Sequence, residues 1–208
     1  MDLAAIIVAI GGVVSAIATP LAAWFAYNQY TKNKMTDLKV EQYKKEQEQK
    51  SLRRADHSGI VFGELHGVLR DLKADRVYIV QPHPLGNESL LSIHFEVKRK
   101  GIEPMKPHIQ QLPIADVAQF NRMLVEEPFM YIEDTDTIED KVANSIFASF
   151  GCKKAIVQKL KDRRHDWTGS IFCEFTHDGD IVAEADAREI LADAASTIQY
   201  LLPEFKTI

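Results

Sequence analysis

The chain holds seven histidines, two cysteines and thirty Asp or Glu side chains, the groups from which acid–base, nucleophilic or metal chemistry would be built. Their spacing assembles none of it. His57, His66, His83, His94, His108, His165 and His177 are scattered without a His-Glu-x-x-His run or any Cys/His ligand spacing, and the sequence has neither a Gly-x-Ser-x-Gly elbow nor a Walker-type phosphate loop. Cys152 and Cys173 form no Cys-x-x-Cys pair, so zinc binding and thiol exchange are not indicated and reduced, structural thiols are expected. His94 with Glu96 at i, i+2 and His165 beside Asp166 are pairs that polar strands and loop tips produce freely. Glu133, Asp134, Asp136, Glu139 and Asp140 gather enough carboxylate to attract Ca²⁺, but the central Gly of an EF-hand loop is absent, and a helix start that favours acids accounts for them better. The expectation is a protein without catalytic residues, metal or cofactor.

Composition sets the elements that must carry these residues. With 208 residues, 46% apolar and 26% charged, the chain can bury a core, and it is too short for two full domains. Its net charge of −5 is unevenly spread. Residues 3–31 contain no Asp, Glu, Lys, Arg or His, and 3–27 are mostly Ala, Ile, Val and Leu. As a helix of ~1.5 Å rise this stretch would span a hydrocarbon core of ~30 Å, so residues 1–31 are expected to form a single transmembrane anchor. A cleaved signal peptide fits less well, because Asp2 is acidic and the apolar run exceeds the roughly 7–15 residues such a segment needs. Lysines follow the run and none precedes it, which predicts the N-terminus outside and the C-terminal domain in the cytoplasm. Trp24 and Tyr27 fall where interfacial aromatics belong, and Gly11, Ser15 and Thr19 make a small-residue stripe that would permit helix pairing in lipid.

Residues 32–56 read as a basic polar stalk. Eight Lys or Arg stand against four acids between positions 32 and 54, and the apolar positions Met35, Leu38, Val40, Tyr43 and Leu52 sustain no heptad, so a solvated helical or flexible spacer is expected. Residues 57–208 form the folded domain. Its acidic balance disfavours a nucleic-acid partner; membrane lipid, a homo-oligomeric partner and a small-molecule ligand are the interactions to expect.

Within the domain, Val61, Leu65, Val68 and Leu72 recur at helical spacing. The β-branched run 76–81 is followed by turn residues 82–87, and residues 92–98 alternate, with Ile93, Phe95 and Val97 on one face and Ser92, His94, Glu96 and Lys98 on the other. That pair predicts a hairpin in an antiparallel sheet with one wet face. A long loop then leads to a helix near 114–125, a strand over 129–133, and a helix opened by a capping box of Thr137 and Asp140 and closed by Gly151. Strands near 154–160 and 170–176 and a final amphipathic helix up to Pro203 complete the order. The fold class is α+β, a central antiparallel sheet with packed helices.

Ala74-Asp75-Arg76-Val77-Tyr78-Ile79-Val80 after an amphipathic helix, Glu127-Pro128-Phe129-Met130-Tyr131-Ile132-Glu133-Asp134, Gly151-Cys152-Lys153-Lys154-Ala155 and Gly169-Ser170-Ile171-Phe172-Cys173-Glu174-Phe175 together resemble GAF domains over about residues 57–203. The likeness is closest to GAF-like domains that bacterial and bacteriophage proteins carry behind one N-terminal membrane helix. It implies a sensory or regulatory module for signalling: a sheet with one face forming a small-molecule pocket, and first and last helices that pack together and often form a homodimer. The Asn-Lys-x-x-Asp-Glu run of cyclic-nucleotide-binding members is absent, and neither cysteine has the context of a bilin attachment site. By position in such a domain, His83, Ser92, His94, Tyr131, Asp134 and Cys152 would line the pocket. Each also has a plainer role: turn polarity for His83, a solvated strand face for Ser92 and His94, core filling for Tyr131 and Cys152, capping for Asp134. The expected function is a membrane-anchored, non-catalytic cytoplasmic sensory module that binds a small ligand or a protein partner. The alternative is a structural or assembly membrane protein of the phage or lysis-associated type with a pocketless domain.

Overall fold

The computed structural model describes residues 3–85 and 88–202, with backbone alone for 3–23, 25, 26 and 37. The chain divides into two compact units, Met1–Arg54 and Ala55–Ile208. Helix α1 (Leu3–Asp71) contributes to both.

In the first unit the described side chains from 32 to 54 are all exposed, and Glu41 and Lys45 pair across one helical turn at 2.8 Å. This is a solvated helix made of good helix formers. Among the described residues, no helix is long and apolar enough to cross a membrane. The placement expected from the apolar run, single-pass with the N-terminus outside and the domain in the cytoplasm, is thereby corrected. The helix holding that run continues through a heavily charged segment. Trp24 and Tyr27 are exposed on it, while the side chains of Gly11, Ser15 and Thr19 lie outside the described residues.

The second unit is built on a six-stranded antiparallel sheet: β1 (Arg76–Leu85), β2 (Glu88–Lys98), β3 (Leu112–Pro113), β4 (Phe129–Ile132), β5 (Lys154–Lys161) and β6 (Trp167–Phe175), in spatial order β3-β2-β1-β6-β5-β4. Between β3 and β4 stand a 3-10 turn (Ile114–Val117) and α2 (Ala118–Glu126); α3 (Lys141–Ser149) joins β4 to β5, and α4 (Glu184–Ile198) follows β6. Helices cover both faces. On one, Val61, Leu65 and Val68 of α1 and Ala187, Leu191, Ala194 and Ile198 of α4 meet Val77, Ile79, Ile156, Ile171 and Cys173. On the other, Phe120 and Leu124 of α2 and Ala143 and Phe147 of α3 meet Tyr78, Val80, Met130, Val157 and Phe172.

The wet face predicted from alternation is therefore not there, and β2 shows why. Ile79 stands opposite Phe95 and Val80 opposite Ile93, so His94 is an extra residue, a β-bulge. Past it the parity flips: Leu91 and Ile93 face the α2/α3 layer, whereas Phe95 and Val97 face the α1/α4 layer. Residues 82–85, read as turn, continue β1 and pair with β2. Pairing with β6 stops at Val80, so Pro82 and Pro84 occupy a stretch with one open edge, where prolines are tolerated in sheets. α3 starts at Lys141 rather than at the predicted box: Asp140 itself is the cap, accepting from the amides of Val142 and Ala143, and Thr137 closes the preceding 3-10 turn. Gly151, at φ +65°, ends the helix as expected.

Candidate functional site

The candidate site lies on the face covered by α2 and α3, in a cavity of about 50 Å³. Tyr78 and Val80 of β1, Leu91 and Ile93 of β2, Phe172 of β6, Leu124 of α2 and Ile146 of α3 form its walls, and Met105 and Ile109 close it from the loop between β2 and β3. No charged side chain lines it. The ring centroids of Phe120, Phe147 and Phe172 stand 5.7 to 6.5 Å from one another, within the range of favourable aromatic contact.

At one end of this layer sits a buried polar network. Arg76 on β1 and Glu174 on β6 are register partners, both with side chains fully removed from solvent. Arg76 donates from Nε to Glu174 Oε2 at 3.0 Å and through Nη2 to the same oxygen; the Tyr78 hydroxyl donates to Oε1. The guanidinium also lies 5.4 Å from the Phe150 ring and donates to the Glu103 carbonyl. Burial pushes the Glu174 carboxyl above its ordinary range against the pull of Arg76 and Tyr78, and it raises Tyr78 well above the usual phenol value. The Tyr78 hydroxyl, one polar handle within reach of the cavity, is thus already committed to Glu174.

The six residues expected to line a pocket do not converge. Three come together at the β1–β2 pair: His83 Nε2 lies 2.8 Å from Ser92 Oγ, the amide of Gln111 donates to that hydroxyl at 2.9 Å, and the His94 ring centroid is 6.1 Å from that of His83. Burial, with His83 and Lys106 nearby, lowers the His94 pKa. Tyr131 belongs to the opposite layer and donates its hydroxyl to the Val182 carbonyl at 2.8 Å. Asp134 caps the 3-10 turn Thr135–Thr137 by accepting from the Asp136 amide. Cys152 is buried in the cavity-side layer beside Glu174, where burial pushes its thiol strongly upward; none of the six appears among the cavity walls. The wall residues were missed because each reads as ordinary core. The Arg76–Glu174 pair did leave a signal: one unlike charge within each of two apolar strands.

The remaining polar groups are tied to structure. Asp75 accepts from the amide and hydroxyl of Thr176 and from His177 Nδ1, fastening β1 to the end of β6. Burial raises its carboxyl, but these donors hold it below the ordinary carboxylate range. The acidic group at 133–140 forms caps and turns, and among the described residues no cluster of three or more His, Cys, Asp or Glu is arranged to hold a metal.

No protein-family model matches this sequence, and comparison with curated proteins gives no match. Solved structures do match. The blue-light absorbing form of the Thermosynechococcus elongatus PixJ GAF domain is similar with a TM-score of 0.57 and 10% identity, over 72% of this chain and 88% of that one. A phycocyanobilin-bound GAF domain from a cyanobacterial phytochrome gives 0.54 and 19%, over 70% and 85%. The GAF domain/HD domain protein from Geobacter sulfurreducens gives 0.53 and 11%, over 71% and 95%. At these identities the likeness establishes the fold: a GAF-like α+β domain.

Proposed function

We propose that this chain is a non-catalytic regulatory module of GAF type that binds a small molecule in the cavity beneath α2 and α3. The observation carrying this reading lies in the core: the layer under α2 and α3 leaves a cavity of about 50 Å³ walled by side chains from the sheet, two helices and a loop. Ligand sites concentrate where several elements meet around an apolar hollow with few polar groups. The fold supports the reading, since the matched cyanobacterial phytochrome domain holds phycocyanobilin. A tetrapyrrole is many times larger than this cavity, and both thiols here are buried, so a bilin is not the molecule proposed. Native mass spectrometry of the full chain from cell extract tests the reading. A retained small molecule is the expected result; a ligand-free chain that also binds no small molecule offered to it would overturn it.

A second reading, an assembly module acting as a homo-oligomer, has its own support on α1. Gly59, Gly63 and Gly67 form a stripe on which an added methyl group would touch nothing within 4 Å, and Ile60 and Phe62 beside it are exposed. Glycine costs a helix about 1 kcal/mol relative to alanine, so three on one face suit the close approach of a second helix. A homo-oligomeric mass lost on Gly63→Leu would favour this reading.

A further inference from the structure

We infer that the loop joining β2 to β3, residues 99–111, is a lid over the cavity latched by Glu96, and that what it admits is a small, uncharged, apolar molecule. The inference rests on the ligand-binding reading above and specifies its gate and its ligand class. A cavity of about 50 Å³ is smaller than the about 150 Å³ of an engineered apolar cavity that takes up benzene, so a molecule of that size enters only if a wall retreats. The strands cannot retreat without breaking the ladder from β1 to β6, and α2 and α3 are held by the interlocked Phe120, Phe147 and Phe172 rings.

The loop is held differently. Its ends are fixed: the Arg99 amide donates to the Asp75 carbonyl and Arg99 Nε to the Ala74 carbonyl, while the Gln111 amide donates to Ser92 Oγ. Between them the chain is largely exposed except for Met105, which is 2% exposed and plugs the cavity with Ile109. The plug is secured by one carboxylate. Glu96 accepts from the Met105 amide through Oε1 at 2.7 Å and from the Lys106 amide through Oε2 at 3.0 Å. Arg76 adds a bond to the Glu103 carbonyl, Lys106 Nζ one to the His94 carbonyl, Gln110 one to the Ile93 carbonyl, and the Ile93 amide one to the Ile109 carbonyl at 3.0 Å. A wall held by hydrogen bonds from a largely exposed loop and by one buried Met side chain opens at lower free energy than one held by packed rings and strand ladders. The same geometry sets the ligand class. No charged group faces the cavity, and the Tyr78 hydroxyl is occupied by Glu174, so an ion or strongly polar solute would enter unpaired.

Benzene and xenon are the probes, offered to the full chain and to Glu96→Ala and Glu96→Gln, with binding followed by NMR and lid opening by hydrogen exchange. Benzene is expected to bind saturably, shifting signals of Phe120, Phe147 and Phe172. Glu96→Ala should raise exchange at the Met105 and Lys106 amides and the benzene on-rate by about tenfold or more, the scale for losing hydrogen bonds to a charged acceptor. Glu96→Gln, which keeps a single acceptor oxygen, should fall between. Equal on-rates and equal exchange in all three proteins would overturn the lid while leaving the binding cavity standing. Faster exchange in Glu96→Ala with no uptake of either probe would overturn the apolar ligand class, and retention of a charged molecule in native mass spectrometry would do the same without harming the cavity.

Discussion

Toward α1 and α4 the sheet presents Val77, Ile79, Ile156, Leu160 and Ile171 together with the rings of Phe129 and Phe175, packed on aliphatic side chains of the two helices. Toward α2 and α3 it presents Tyr78 and Phe172, stacked at 5.1 Å, with an ion pair at one end and a hollow in the middle. One sheet thus supports two layers of different make-up, and the one under α2 and α3 holds the cavity. The hollow on that side is the site of the ligand-binding reading proposed above.

The sharpest way to break this comparison is at the ion pair. Glu174→Ala strands the Arg76 guanidinium in the core and is expected to cost about 3–5 kcal/mol, read by urea denaturation. A loss near zero would mean that the cavity-side network is incidental. Next come paired truncations. Leu65→Ala removes a fully buried side chain from the α1/α4 layer and belongs at the upper end of the about 2–5 kcal/mol range, whereas Leu124→Ala, which already borders the cavity, belongs at the lower end and should tighten benzene binding. Equal losses with unchanged binding would erase the distinction between the layers.

Smaller effects test the fastenings. Asp140 accepts from the amides of Phe120, Val142 and Ala143, tying the starts of α2 and α3 together over the cavity, and Asp140→Ala is expected to cost about 1–2 kcal/mol. Burial raises the Asp140 carboxyl, but those amides hold it below the ordinary range, as Thr176 and His177 do for Asp75. A carboxyl whose folded pKa is depressed contributes stability that is complete above the unfolded value of about 3.9 and lost as pH falls through the folded value. Stability should therefore drop on acidification below about pH 4, and Asp75→Asn or Asp140→Asn should each flatten that drop when denaturation is followed between pH 5 and pH 2.

The sequence made the second hairpin, the last helix and the glycine stop of α3 legible, because local periodicity and capping decide them. It also made the order of elements legible, and with it the GAF-like fold. It did not reveal the bulge at His94, since residues 92–98 alternate equally well with one face in water or with both faces covered and a parity change between them. The two-residue β3 is too short to leave a pattern, and the strand through Pro82 and Pro84 is explained only by where β6 stops pairing. None of the pocket residues chosen from polarity is among the walls of this cavity, which is lined by residues that look like core in any sequence. The transmembrane placement drew on hydropathy and flanking charge, and among the described residues no helix is long and apolar enough to cross a membrane.

The extra residue at His94 makes β2 a strand of two halves, Leu91 and Ile93 at the hollow and Phe95 against Phe62 of α1 at 5.4 Å. Deleting it would restore a single parity along the strand and turn either the first half or the second toward the wrong layer. Length at this point is therefore held more tightly than chemistry: the strand tolerates an exchange of side chain far better than the loss of one link, because a single step of backbone assigns each half its neighbours.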